Sequence, residues 1–205
     1  MKPLKKLMHM ITGNIRVPRE AVDRDERIIL HVSDTPNVIH GAVGRLIRAI
    51  RPEVVIHTGD LVDNIKLELS RRHEEEYLER VQKILKLLSS DYVEQTFISL
   101  GNHDSEKIIP DHGDTICFFK NTGLIEIHGL TMEIGHKYTD LTDLPADFKL
   151  FGHTPAPGHH RKNQTFYLNG NLTANIIFTR SLKVLHLPYP FGTDDFRQKK
   201  RKIGL

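Results

Sequence analysis

Polar side chains able to bind a metal ion or move a proton follow several apolar segments of the chain. They are Asp34, Asp60, the run Gly101-Asn102-His103-Asp104, and the run Gly152-His153-Thr154-Pro155. Each follows a β-prone segment, so we expect each in the loop at the C-terminal end of a strand. Open α/β sheets place their chemistry at that edge.

Carboxylate, amide and imidazole groups meeting at one sheet edge form a mixed oxygen and nitrogen ligand set. Such a set suits a divalent ion of Mn, Fe, Co or Zn better than a thiolate site would. Metal ions in this setting clamp a phosphate, generate hydroxide from water and stabilise in-line displacement. A histidine outside the ligand set could protonate the leaving oxygen. These residue types are therefore compatible with metal-assisted hydrolysis at phosphate.

The first half of the chain alternates strand and helix patterns, which would position these loops. Periodicity predicts these elements: strand Arg27–Ser33, helix Ile39–Ile50 ended by Pro52, strand Val54–His57, helix Glu68–Ser89 and strand Thr96–Leu100. The order strand, helix, strand predicts a βαβ unit with parallel strands. An acidic residue then stands at the end of each of its strands.

The second half reads as short strands separated by Gly, Asn and Ser. The predicted strands are Leu124–Ile127, Leu130–Ile134, Lys149–Phe151, Phe166–Leu168, Ile176–Phe178 and Val184–Leu187. We divide the chain into an N-terminal arm (1–26), one domain (27–190) and a basic C-terminal tail (191–205). For the tail, a solvated end is favoured over a nucleic-acid arm.

Composition describes an ordinary soluble globular protein. The 205 residues are 39% hydrophobic and 27% charged, with a formal net charge of +3. This balance does not indicate nucleic-acid binding, and no apolar stretch is long enough to span a bilayer. The single cysteine, Cys117, excludes an internal disulfide and is predicted to be a small buried residue. We expect a cytoplasmic protein.

The order and spacing of the motifs resemble the calcineurin-like metallophosphoesterase superfamily, over about Arg27 to Leu187. The family pattern runs Asp-x-His, Gly-Asp, Gly-Asn-His-Asp/Glu, a lone His, and Gly-His-x-His. The resemblance implies an α/β fold, a four-layer α-β-β-α sandwich with metal ions at the C-terminal strand ends. The compact length is similar to that of the small bacterial phosphodiesterase branch.

The resemblance also implies metal-binding roles for the matching positions. Asp60 resembles the carboxylate that bridges two ions, and Asp34 resembles a ligand of the first ion. Asn102 and His153 resemble ligands of the second ion.

The sequence departs from the family pattern at three ligand positions. Pro36 and Pro155 replace two histidines that the family gives to the first ion, and Ile134 stands at the lone His. His136 lies two residues further on, and that offset keeps a side chain on the same face of a strand. We therefore include His136 as a candidate ligand and expect one ion rather than two.

The same resemblance implies that His103 donates a proton and is held by Asp104. Hydrolysis of a phosphate mono- or diester is the expected activity, with a small molecule or nucleotide as substrate and no membrane or nucleic-acid partner. The alternative is a degenerate family member that acts as a binding or scaffold protein, because three ligand positions are replaced. The substrate-binding residues and the oligomeric state are not predicted.

The remaining histidines are assigned from their surroundings. We predict core positions for the two that lie within strands, His31 and His57, and surface positions for His40, His73 and His128. Loop exposure is favoured for the three that could otherwise replace a missing imidazole: His112, His159 and His160. For Arg161 and Lys162, exposed charge is favoured over contact with a substrate phosphate.

Overall fold

The computed structural model describes residues 13–65, 74–107, 109 and 113–198. The predictions for His73, His112 and residues 199–205 lie outside these residues, as does the predicted start of the second helix at Glu68. No helix in the described ranges is long and apolar enough to cross a membrane.

The described chain forms two β-sheets. The strands are β1 Ile28–Val32, β2 Val54–His57, β3 Gln95–Ser99, β4 Ile116–Phe119, β5 Thr122–Ile127, β6 Leu130–Gly135, β7 Phe148–Phe151, β8 His160–Lys162, β9 Thr165–Asn169, β10 Thr173–Phe178 and β11 Val184–Pro188. One sheet has the order β11-β10-β1-β2-β3-β4, and the other has the order β5-β6-β7-β9-β8. Strands β1 to β4 are parallel, and β6, β7 and β9 are parallel.

Two longer helices cover one face of the six-stranded sheet. They are α1, Asn37–Ile50, and α2, Glu74–Leu88; a shorter helix, α3, Thr193–Gln198, follows the last strand. Helix α1 ends where Arg51 adopts a left-handed conformation and its N–H donates to the Ile47 carbonyl oxygen. The apolar faces of α1 and α2 share one core with alternate sheet residues such as Leu30 and Val55.

A second core fills the space between the two sheets. Ile29 and Ile56 contribute to it from the six-stranded sheet, and Ile134, Phe148 and Leu150 contribute from the other. Because strand side chains alternate, β1 sends Leu30 to the helices and Ile29 to the second sheet. The predicted fold class, α/β with two sheets and flanking helices, is confirmed.

Several local predictions were wrong. Cys117 is exposed because it lies on β4, a short edge strand that the sequence pattern did not predict. His40 is buried, and its ring Nε2 contacts the carbonyl oxygens of Thr35 and Leu61, each at 3.1 Å. By contrast His31 and His57 are buried and hydrogen-bonded, as predicted.

Candidate metal centre

The candidate residues lie at one edge of the molecule, where several strands end. Asp34 follows β1, Asp60 follows β2 and Asn102 follows β3, while His136 and His153 follow β6 and β7. Parallel strands bring their C-terminal ends to the same edge, and packing of the two sheets brings the two edges together. The structure therefore brings the candidate ligand residues to one edge, and His136 lies among them.

His136 has a defined tautomer. Its Nδ1 lies 2.7 Å from the carbonyl oxygen of Thr58, which can only accept a hydrogen bond. Nδ1 must therefore carry the proton in the neutral ring, and Nε2 presents a lone pair. That lone pair faces Asn102 Oδ1 at 3.1 Å, His153 Nδ1 at 3.0 Å and Asp60 Oδ2 at 3.5 Å.

This convergence of electron-pair donors fits a divalent cation. Asp60, His136 and His153 each offer a ligand atom, and these atoms lie within 4.8 Å of one another. Ligand atoms bound to one ion at about 2.0–2.2 Å would stand about 3.0–3.5 Å apart. The three separations measured from His136 Nε2 match that range. The imidazole, amide and carboxylate donors suit Mn, Fe, Co or Zn.

Three of the candidate residues adopt a backbone conformation that residues other than glycine seldom use. The φ angles of Asp34, Asp60 and His153 are +50°, +56° and +70°. Such conformations persist when surrounding structure fixes them, and they cluster at functional sites. Here each backbone N–H has an acceptor. Asp34 N–H donates to Gly59 O at 2.9 Å, Asp60 N–H donates to Asp104 Oδ2 at 2.8 Å, and His153 N–H donates to Asp34 Oδ2 at 2.9 Å.

Gly101 allows the third-strand loop to approach Asp60. A Cβ at position 101 would lie 2.1 Å from Asp60 Oδ1, a distance that would displace the carboxylate. The same oxygen accepts a hydrogen bond from His103 N–H at 3.0 Å. The glycine of the Gly-Asn-His-Asp run is therefore required by this close approach.

The Asp104 carboxylate joins the second and third strand loops. One oxygen accepts from the N–H groups of Asp60 and Gly101 at 2.8 and 2.9 Å. The other accepts from Leu61 N–H at 3.0 Å and from the Tyr77 hydroxyl at 2.9 Å. Asp104 was predicted to hold His103; these four hydrogen bonds connect it to the Asp60 and Gly101 loops and to Tyr77.

His103 belongs to a second group of possible ligands. His103, Asp60 and Asp63 are all buried, and they offer ligand atoms within 4.8 Å of one another. His103 Nε2 lies 3.9 Å from Asp60 Oδ2. The sequence interpretation missed Asp63, although its position three residues after Asp60 could have indicated it.

The electrostatics of the cluster favour a bound cation. Burial raises the pKa of Asp60 well above its usual value, and the negative charges of Asp34, Asp104 and Asp63 raise it further. Burial, followed by the neighbouring His136, lowers the pKa of His153. His153 is therefore neutral near pH 7 and keeps a lone pair for a ligand bond, while an ion would offset the carboxylate charges.

A small recess of about 190 Å³ opens beside the cluster. It is lined by Asp34, Asp60, Asp63 and Asp194, with His103, His153 and Pro155. Arg197 also lines it and is 8% exposed. A solvated end was predicted for this part of the tail; the structure instead folds Thr193–Gln198 as a helix and buries Arg197.

The described histidines outside the cluster do not replace the missing imidazoles. His159 Nε2 contacts Thr173 Oγ1 at 2.9 Å, and its ring stacks on His186 with the centroids 4.1 Å apart. His160 lies on β8 and stacks on Tyr167. Pro36, which replaces one family histidine, stands at the start of α1. Neither His159 nor His160 supplies an imidazole to that side of the site.

Comparisons with known proteins identify a family model and solved structures that are similar to this chain. The family model described as calcineurin-like phosphoesterase matches residues 28–202. An archaeal phosphodiesterase of known structure is 19% identical over 77% of this chain and 97% of its own, with a TM-score of 0.53. The phosphoesterase YfcE from E. coli is 13% identical over 80% of this chain and 99% of its own, with a TM-score of 0.48. No curated protein matches the sequence.

Proposed function

Because the chain belongs to the calcineurin-like phosphoesterase family, we propose that it hydrolyses phosphate mono- or diesters with one divalent ion. The ion would be held by Asp60, Asn102, His136 and His153. The observation that carries the proposal is the lone pair of His136 Nε2 facing an amide oxygen and a carboxylate oxygen. When bound, such an ion supplies Lewis acidity and a water of lowered pKa.

The protein's own residues would orient and complete the site. The Thr58 carbonyl fixes the His136 tautomer, and Asp104 holds the Asp60 loop. We assign His103, buried beside Asp60, the transfer of a proton to the leaving oxygen. The recess of about 190 Å³ is smaller than the sites that enclose drug-sized ligands. It therefore fits a phosphoryl group, and the rest of the substrate would stay outside.

Replacing Asp60 tests this proposal. Purified wild type, Asp60→Asn and the control Asp91→Asn would be assayed with Mn²⁺ on a chromogenic phosphodiester. Asp91 is exposed in the turn before β3, at the sheet edge opposite the site. We expect Asp60→Asn to lose more than about 1,000-fold in rate, since it removes a charged ligand. Asp91→Asn should match wild type, and equal rates in all three would reject a hydrolase.

A binding or scaffold role is the second candidate, and the observation that favours it is the loss of both first-ion histidines. Pro36 and Pro155 carry no ligating atoms. This role predicts no Mn²⁺-dependent turnover of any phosphate ester by a correctly folded protein. Turnover that Asp60→Asn abolishes would exclude it.

A further inference from the structure

Arg197 connects the C-terminal helix α3 to two loops of the site. Its Nε donates to the Asp34 carbonyl oxygen at 2.7 Å, and its Nη2 donates to the Ser33 carbonyl oxygen at 3.2 Å. Its Nη1 also donates to the carbonyl oxygen of Asn171, in the turn after β9. The guanidinium lies over the Tyr189 ring, 4.5 Å from its centroid. These contacts fix the orientation of the group.

The positive charge of Arg197 is only partly neutralised. Its one ion pair within the described residues is with Asp194 Oδ1 at 3.1 Å, and the Asp194 side chain is 72% exposed. An exposed carboxylate is screened by water and offsets a buried charge weakly. Four of the five guanidinium N–H groups have protein acceptors, so one N–H of Nη2 has none among the described residues.

This charge lies on the side of the site that lost two metal ligands. The guanidinium is bonded to the backbone of Asp34, the residue that resembles a ligand of the first ion, and it lines the same recess as Pro155. A first ion would have contributed positive charge to a bound phosphate from this side. A fixed guanidinium can do the same, since it donates two hydrogen bonds to phosphate oxygens in a planar geometry.

We propose that Arg197 binds the phosphoryl group and supplies the positive charge that a first ion would otherwise provide. The ligand class is a phosphate monoanion or dianion, or a phosphodiester. The inference rests on the proposed function and adds a phosphate-binding residue outside the family motifs. On binding, phosphate would take the free Nη2 N–H and compete with Asp194 for Nη1.

Inorganic phosphate and Mn²⁺ serve as probes, because neither requires turnover. Calorimetry would measure phosphate binding to the Mn²⁺-loaded protein, and the electron paramagnetic resonance signal of free Mn²⁺ would measure ion binding. The variants are Arg197→Met, which removes the charge, and Arg197→Lys, which keeps it. Arg180→Met is the matched control, since Arg180 is exposed after β10, at the opposite edge of the sheet.

The charge at position 197 should affect the two probes in opposite directions. We expect Arg197→Met to weaken phosphate binding by about 10- to 100-fold, as for a lost charge-assisted hydrogen bond. Mn²⁺ should bind more tightly to this variant, because a repelling charge is gone. Arg197→Lys should lose less phosphate affinity than Arg197→Met, because it keeps the charge but not the planar pair of donors. Arg180→Met should match wild type in both measurements.

A purely structural anchor predicts a different pattern. Loss of the carbonyl contacts would distort the site, so phosphate and Mn²⁺ would both bind more weakly in Arg197→Met and in Arg197→Lys. That result, or unchanged phosphate binding in Arg197→Met, overturns the inference while leaving Mn²⁺-dependent hydrolysis intact. If wild type binds neither probe, the proposed function fails as well.

Asp194→Asn provides a test that does not disturb the buried contacts. Asp194 is exposed, so its replacement should preserve folding, and it removes the negative charge that competes with phosphate for Arg197 Nη1. We expect phosphate binding to strengthen about two- to fivefold, in keeping with the small energy of an exposed ion pair. Weaker phosphate binding in a folded Asp194→Asn protein would contradict the proposal.

Discussion

The two halves of the candidate site share Asp60 but differ in what surrounds its carboxylate. On one side Asn102, His153 and Asp60 each place a possible ligand atom within 3.5 Å of His136 Nε2. On the other side the imidazoles are lost, and Arg197 is bonded to the loop that carries Asp34. We infer that this difference would let a site with one ion still offer positive charge to phosphate from the Arg197 side.

Replacing His103, which lies beside the shared carboxylate, has the largest expected effect. If His103 donates a proton, His103→Asn should lower kcat by about 100- to 10,000-fold. The loss should be smaller for a nitrophenyl ester than for an alkyl ester, because a good leaving group needs less protonation. Metal content would be measured in parallel with the rates.

Unchanged metal content in His103→Asn would support the proton-transfer role. A drop in ions per chain would instead place His103 with Asp60 and Asp63 as a ligand group, and the two halves would then each hold an ion.

The halves should also respond differently to loss of a ligand. We expect His136→Ala to weaken Mn²⁺ binding by more than about 100-fold, because direct ligands matter more than the groups that orient them. Asp34→Asn should cost less than about tenfold. Titration of each variant with Mn²⁺ measures both effects, and equal losses would remove the proposed asymmetry.

Much of the fold could be predicted from the sequence, and so could the half of the site that contains His136, His153 and Asn102. Short apolar runs identified the central strands, and the polar residues after them identified Asp60, Asn102 and His153. His136, two residues after Ile134, could also be predicted as a candidate, since that offset needs only the geometry of one strand.

The half of the site around Asp34 and Arg197 could not be predicted, because it depends on contacts between distant parts of the chain. Arg197 Nε donates a hydrogen bond to the carbonyl oxygen of Asp34, 163 residues earlier, although Arg197 stands in a run that reads as a basic tail. Asp104 likewise accepts hydrogen bonds from Tyr77 and from the Asp60 loop, which are distant in the sequence. Neither partnership leaves a periodic signal, so local patterns could not reveal it.

The smallest expected effect is the pH dependence of stability caused by two buried histidines, His31 on β1 and His57 on β2. Burial lowers the pKa of His31 to about 3, and it lowers the pKa of His57 well below its usual value. Both are neutral in the folded protein, whereas the unfolded chain takes up protons below about pH 6.5. The contribution of these two histidines to the free energy of unfolding is therefore complete above about pH 6.5, and it falls as the pH drops toward 3.

Urea unfolding at a series of pH values measures this effect. Each histidine should contribute a slope of at most about 1.4 kcal/mol per pH unit. His57→Asn keeps an acceptor for Gly59 N–H, which now bonds His57 Nδ1 at 3.1 Å, but removes one titrating group. Its slope should be shallower than that of wild type, and an equal slope would show that His57 does not contribute.

The contrast between the halves is tested most directly by locating the bound ions in crystals soaked with Mn²⁺. We expect one anomalous peak per chain, about 2.0–2.2 Å from Asp60 Oδ2, His136 Nε2 and the nearby ligand atoms of His153 and Asn102. No ion should lie between Asp34 and Asp63. A second peak there, or no peak beside His136, would contradict the account.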